Sequence, residues 1–143
     1  MKKSLLVLPA MAALALAAAT PAAKTPEDLK ARAARIHRSA IVVDTHQDVP
    51  YRLEKKWIDL ARRNPTGHVD VPRLKEGGVT APFFAAYVPA AYAESGGAAK
   101  KALETIELSR QLASGHRDLV FADSPAGVRD AKRKGKIAIL IGM

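Results

Sequence analysis

Lys136-Ile137-Ala138-Ile139-Leu140-Ile141-Gly142-Met143 is a near-continuous apolar run with no polar residue alternating through it. A strand built from it needs cover on both faces, which is the pattern of a parallel strand layered between other elements. Just upstream, Asp123-Ser124-Pro125 is a strong helix start, and Gly135 closes the helix it begins. Leu119 to Ala122 reads as a short strand before that helix, and Ala98 to about Ser114 as an amphipathic helix with Ala99, Leu103, Ile106 and Leu112 inward. A loop, Pro89 to Gly97, separates this helix from a strand over Val79 to Val88, which carries Phe83, Phe84 and Tyr87. Nearer the N-terminus, a strand over residues 41 to 44 leads to a helix from Pro50 to about Arg63, with Leu53, Trp57 and Leu60 on its inner face. Thr25-Pro26-Glu27-Asp28 supplies a cap, an N1 proline and first-turn acids for a helix to about Ser39, whose apolar stripe is Leu29, Ala33, Ile36 and Ala40. Strands separated by helices of this length form right-handed βαβ units and a parallel sheet. The expected architecture is an arc of a (β/α)8 barrel or one half of a doubly wound sheet. Since the chain stops on its most buried strand, it is expected to be truncated or fragmentary.

Met1-Lys2-Lys3, followed by the Leu-, Val-, Ala- and Met-rich stretch Ser4 to Ala19, has the layout of a secretory signal. Ala17-Ala18-Ala19 offers a cleavage site, with cleavage as late as residue 23 also compatible. The expected domains are thus a signal over 1–19 and a domain portion over 25–143, the protein being exported to a periplasm or secreted. There is no cysteine, which excludes lipid attachment at a lipobox, disulfide bracing and thiolate metal ligation. Any metal must be held by His, Asp or Glu. The formal charge is +9 and stays +7 once Lys2 and Lys3 leave with the signal. Its basic residues are spread over helical faces, as in Lys30, Arg32, Arg35 and Arg38, rather than gathered with groove-reading partners, so nucleic acid is not expected as a ligand.

Ile41-Val42-Val43-Asp44-Thr45-His46-Gln47-Asp48-Val49-Pro50 ends an apolar β run with an imidazole and a carboxylate two residues apart. In an extended chain residues i and i+2 point the same way, so His46 and Asp48 can converge on one divalent cation such as zinc. Asp44 either orients the His46 turn or makes local backbone bonds at the strand end. His68 and Asp70 repeat the spacing after the turn Asn64-Pro65-Thr66-Gly67, and there Asp70 reads as the N-cap of a short helix that Gly77-Gly78 stops. His37 is expected to face solvent and His116 to end a helix, while Arg73 is assigned to a structural salt bridge. No nucleophile elbow or phosphate loop is present, which disfavours acyl-enzyme and nucleotide chemistry.

Val43 to Pro50, Gly67-His68-Val69-Asp70-Val71-Pro72-Arg73-Leu74-Lys75-Glu76-Gly77-Gly78-Val79 and Gly135-Lys136-Ile137-Ala138 to Gly142-Met143 together resemble the membrane (renal) dipeptidase family, peptidase family M19. The resemblance runs from about residue 30 to the end. It implies a (β/α)8 TIM-barrel metallohydrolase with two Zn2+ ions that cleaves dipeptides and tolerates a D-residue on the C-terminal side. It makes His46 and Asp48 ligands of one zinc. The family's bridging glutamate would follow Met143 and two further histidines would lie downstream, so no catalytic residue beyond these ligands is expected within 1–143 and the fragment alone is expected to be inactive. A dipeptide is the expected substrate, the membrane is met only through the signal segment during export, and a homodimer is one assembly left open. Another metal-dependent amide or ester hydrolase of the same barrel type, or a non-catalytic exported remnant, are the alternative readings.

Overall fold

The computed structural model describes residues 28–143. The signal over 1–19, its cleavage and the proposed cap at Thr25 and Pro26 lie outside those residues. In chain order the elements are α1 (Leu29–Ser39), β1 (Val42–Gln47), α2 (Val49–Lys55), α3 (Val71–Glu76), β2 (Val79–Ala85), α4 (Ala91–Ser95), α5 (Ala98–Gly115), β3 (Leu119–Phe121), α6 (Pro125–Arg133) and β4 (Ile137–Gly142). The four strands form one parallel sheet in the order β1-β2-β4-β3. Strand β4 is shared between two neighbours: its first half, Ile137 to Ile139, pairs with β3, and its second half, Leu140 to Gly142, pairs with β2. The expected parallel α/β class is present, with β3 placed at the sheet edge beyond β4.

Period-two alternation along β4 divides the core in two. Ile137 and Ile139 join Phe84, Leu119, Leu53, Leu74 and Ala113 on the face covered by α2, α3 and α5. Ala138 joins Ala81, Ala122, Val128 and Ala131 on the face covered by α6. The double burial read from the apolar run is therefore realised over the first half of β4, while its last three residues are half-buried.

Several local expectations are corrected. α1 starts at Leu29 with Asp28 as its cap, the Asp28 carboxylate accepting from the Lys30 N–H at 3.2 Å. Its apolar stripe is not covered by the described residues: Leu29 is 78% and Ile36 51% exposed. Near its end the helix meets the stop of α3 and the side of α6, where His37 Nε2 lies 2.7 Å from the Gly77 carbonyl and Lys132 Nζ donates to the Arg38 carbonyl at 2.9 Å. α2 ends at Lys55 rather than near Arg63, because side chains compete for the following backbone. Asp59 Oδ1 accepts from the Ala61 N–H, and Asn64 Nδ2 donates to the Asp59 and Arg62 carbonyls, all at 2.9 Å. Leu53 and Leu60 are buried as expected, but Trp57, beyond the helix end, is exposed. β2 stops at Ala85 rather than Val88, and the loop after it contains the short α4. α5 buries Ala102, Thr105, Ser109 and Ala113, not Leu103. Small residues let this helix lie close, and its buried hydroxyls are satisfied by the helix itself: Thr105 Oγ1 donates to the Lys101 carbonyl and Ser109 Oγ to that of Thr105.

Asp70 caps α3 as read from the sequence and also anchors the loop before it. Its side chain is fully buried. Oδ1 accepts from the Arg73 N–H at 3.0 Å, and Oδ2 accepts from the Asn64 N–H at 3.0 Å and from Arg73 Nη1 at 2.5 Å. Burial pushes this carboxyl up, but the two backbone donors and the charges of Arg73 and Arg63 outweigh it and hold it below the ordinary carboxylate value. The Asp70→Ala substitution is expected to cost about 2–4 kcal/mol, since it removes a cap and leaves a partly buried guanidinium unpaired. A carboxylate with a lowered pKa stabilises the fold above its unfolded-state value and loses that contribution as pH falls through the folded one. Urea unfolding of the wild type and of Asp70→Asn is expected to differ at pH 7, to begin to converge only as pH falls below about 4, and to meet below the lowered folded-state value.

Candidate metal centre

All four strands are parallel, so their carboxyl ends share one edge of the sheet, and it is there that β1 delivers Asp44, His46 and, one residue beyond the strand, Asp48. His46 lies inside β1, not in the turn expected after residue 44. The register shows why the side chain is not simply alternating: Asp44 sits opposite Pro82 and Gln47 opposite Phe84, so β1 places two residues where β2 places one. This is a β-bulge, which re-aims side chains.

Asp48 occupies the N-cap position of α2 yet makes no side-chain cap bond. Pro50, at N2, has no N–H to offer it. The carboxylate turns to the strand instead, and Asp48 Oδ1 lies 3.1 Å from His46 Nε2, the side chains being 56% and 67% exposed. The two side chains that the spacing was expected to bring together do approach, but through a bulge and a helix start rather than as two positions of one extended strand.

The separation is compatible with a shared cation. Two ligand bonds of about 2.0–2.1 Å opened by roughly 100° put nitrogen and oxygen about 3.1 Å apart, and imidazole with carboxylate is a donor set zinc accepts. Both groups also face open space, where a cation can reach them. Among the described residues no group of three or more His, Asp or Glu is gathered to hold a metal. The pair therefore offers two of the three donors that a catalytic zinc site ordinarily combines with water.

Asp44 bonds to the His46 backbone and not to its ring: Oδ1 accepts from the His46 N–H at 3.2 Å. Its Oδ2 accepts from Gln47 Nε2 at 2.7 Å. Gln47, which the sequence reading passed over, is 6% exposed, and its Oε1 has no hydrogen-bond partner among the described residues. The amide cannot gain by flipping, since that would turn its oxygen toward a carboxylate. An unpaired buried acceptor costs roughly 1–3 kcal/mol. The signal that could have found it was a long amide standing between the two candidate ligands His46 and Asp48.

The other candidates have structural partners or surroundings. Arg73 binds Asp70 and the Asn64 carbonyl. His116 ends α5, and its Nδ1 accepts from the Asp118 N–H at 3.1 Å. His68 joins Asp48, Val49, Arg52 and Gly67 around a cavity of about 370 Å³. The Arg52 guanidinium lies against Gly67, whose φ of +80° suits glycine and where a Cβ would meet Nη1 at 2.0 Å.

The family profile of membrane dipeptidases, peptidase family M19, matches residues 30–143. The chain belongs to the membrane dipeptidase family. It is 32% identical over 120 residues to mouse dipeptidase 3, an alignment that takes in 80% of this chain and 24% of the mouse protein, and 31% identical over 129 residues to human dipeptidase 3, with 87% and 26% covered. The chain spans about a quarter of the length of these curated relatives. Among solved structures it is similar to dipeptidase AC, a metallopeptidase of family M19, with a TM-score of 0.58 and 28% identity over 71% of this chain and 34% of that one. A metallopeptidase from Rhodobacter sphaeroides, crystallised with a phosphinate mimic of the dipeptide L-Ala-D-Ala, shares the fold with a TM-score of 0.57 and 24% identity over 71% and 37% of the two chains. The M19 dipeptidases are TIM-barrel metallohydrolases. In this membrane dipeptidase family chain, His46→Ala and Asp48→Ala are each expected to weaken zinc binding by the full-length protein by more than the roughly 10–100-fold that loss of a supporting group costs. Competition with a chromophoric chelator measures this, and unchanged affinity in both variants would remove the pair from the metal site.

Proposed function

We propose that this chain is the N-terminal part of a zinc-dependent dipeptidase and that His46 and Asp48 hold one of its metal ions. The observation that carries the reading is the 3.1 Å approach of an imidazole nitrogen and a carboxylate oxygen at the carboxyl edge of a parallel sheet. Barrel enzymes place their chemistry at that end of the strands. Membership of a metallopeptidase family supports it, as does the dipeptide-mimic complex of the Rhodobacter sphaeroides protein.

Bound divalent cations lower the pKa of coordinated water toward neutrality and polarise the carbonyl to be cleaved. His46 contributes a neutral nitrogen and Asp48 a negative oxygen, which partly neutralises the cation while leaving it a net Lewis acid. Asp44 holds the His46 backbone through its N–H, so the imidazole is presented from a fixed strand end. The net reaction adds water across the peptide bond, hydroxyl to the acyl carbon and proton to the departing amine. Two ligands alone hold zinc weakly, so residues 1–143 by themselves are expected to hydrolyse little. Residues 1–19 are read as the export signal, which places the enzyme outside the cytoplasm.

Removing zinc from the full-length protein with a chelator is expected to abolish hydrolysis of simple dipeptides, and adding zinc back to restore it. Hydrolysis that persists after verified metal removal would overturn the proposal. A panel that finds ester or non-peptide amide substrates turned over while dipeptides are left intact would move the assignment to another hydrolase of the same barrel type.

A further inference from the structure

We propose that Gln47 is a positioning residue for the His46–Asp48 pair and that it acts through Asp44. In a regular strand residues three apart point to opposite faces. Asp44 and Gln47 are three apart, yet Gln47 Nε2 donates to Asp44 Oδ2 at 2.7 Å. That bond can form only across the bulge, where Thr45 and His46 together oppose a single residue of β2. It therefore acts as a clasp on the irregularity that turns the His46 ring toward Asp48. The second oxygen of the same carboxylate takes the His46 N–H, so the clasp reaches the ligand residue in two short steps.

Burial separates this role from that of a surface amide. Gln47 is held on the covered face of β1, opposite the fully buried Phe84, and keeps an amide oxygen there without a donor. A leucine would fill similar space without that unpaired atom. An amide kept at such a position serves stability poorly, and among the described residues its polar contact is with the carboxylate under His46. The inference rests on the metal reading of His46 and Asp48 given above.

The test compares Gln47→Leu, Gln47→Glu, Asp44→Ala and the double variant Gln47→Leu/Asp44→Ala in the full-length protein, with His46→Ala as reference. Zn2+ affinity is read by chelator competition, and the visible spectrum of the Co2+-substituted site reports ligand geometry. Gln47→Leu is expected to lose roughly 10–100-fold in zinc affinity and to alter the cobalt spectrum. Its urea midpoint without metal should stay level or rise, because the unpaired amide oxygen is gone. Gln47→Glu, which offers Asp44 a second carboxylate in place of a donor, should lose at least as much affinity. The double variant should bind no more weakly than Asp44→Ala alone, as expected of two residues acting in series. Wild-type affinity and spectrum in Gln47→Leu would overturn the proposal, as would losses that add in the double variant or that track a fall in stability. If His46→Ala also leaves zinc binding intact, the metal reading fails and this proposal falls with it. If His46→Ala abolishes binding and Gln47→Leu does not, only the positioning role is lost.

Discussion

Parallel pairing is the constraint from which the rest of this structure follows. Two parallel strands cannot be joined by a hairpin, so the chain must return across the sheet before each new strand begins. Here the returns are made by α2 and α3 between β1 and β2, by α4 and α5 between β2 and β3, and by α6 between β3 and β4. Each return covers sheet surface, which is why β4 can be apolar on both faces. Each also resets the strand direction, so every strand ends on the same edge. His46 and Asp48 are at the carboxyl edge because β1 runs as its neighbours do.

Side chains decide where the returns stop and turn. Asp70 ties the irregular segment after α2 to the start of α3 and pins Arg73 across it. Lys75 Nζ lies 2.8 Å from Asp118 Oδ1, fastening α3 to the segment before β3. Glu54 on α2 receives both Lys101 Nζ at 2.6 Å and Thr105 Oγ1 at 3.0 Å from α5. These contacts join helices that share one face of the sheet, and they bring cations to carboxylates without forming a ligand cluster.

The strands and most helix starts were legible because their signals are local. The apolar run of β4, the Ser124-Pro125 start of α6 and the Asp70 cap of α3 each depend on residues within a few positions. What could not be read depended on partners far along the chain. Leu103 had the right spacing for an inner face, but the inner face of α5 is set by how closely Thr105 and Ser109 let it approach the sheet and α2. Leu29 and Ile36 make an apolar stripe whose cover is not among the described residues. The His46–Asp48 pair was legible by spacing. The bulge that turns it, and the role of Gln47 in that bulge, needed the register against β2.

The uncapped start of α2 couples two equilibria. Asp48 is at once the boundary residue of a seven-residue helix and half of the pair proposed to hold a cation. A ligand that binds only the ordered arrangement stabilises it by mass action. Occupancy at His46 and Asp48 therefore also biases the first turn of α2 toward its folded state, and fraying of that turn loosens the grip on the ion. On the proposed metal reading, the persistence of this helix is expected to follow the free concentration of metal around the protein.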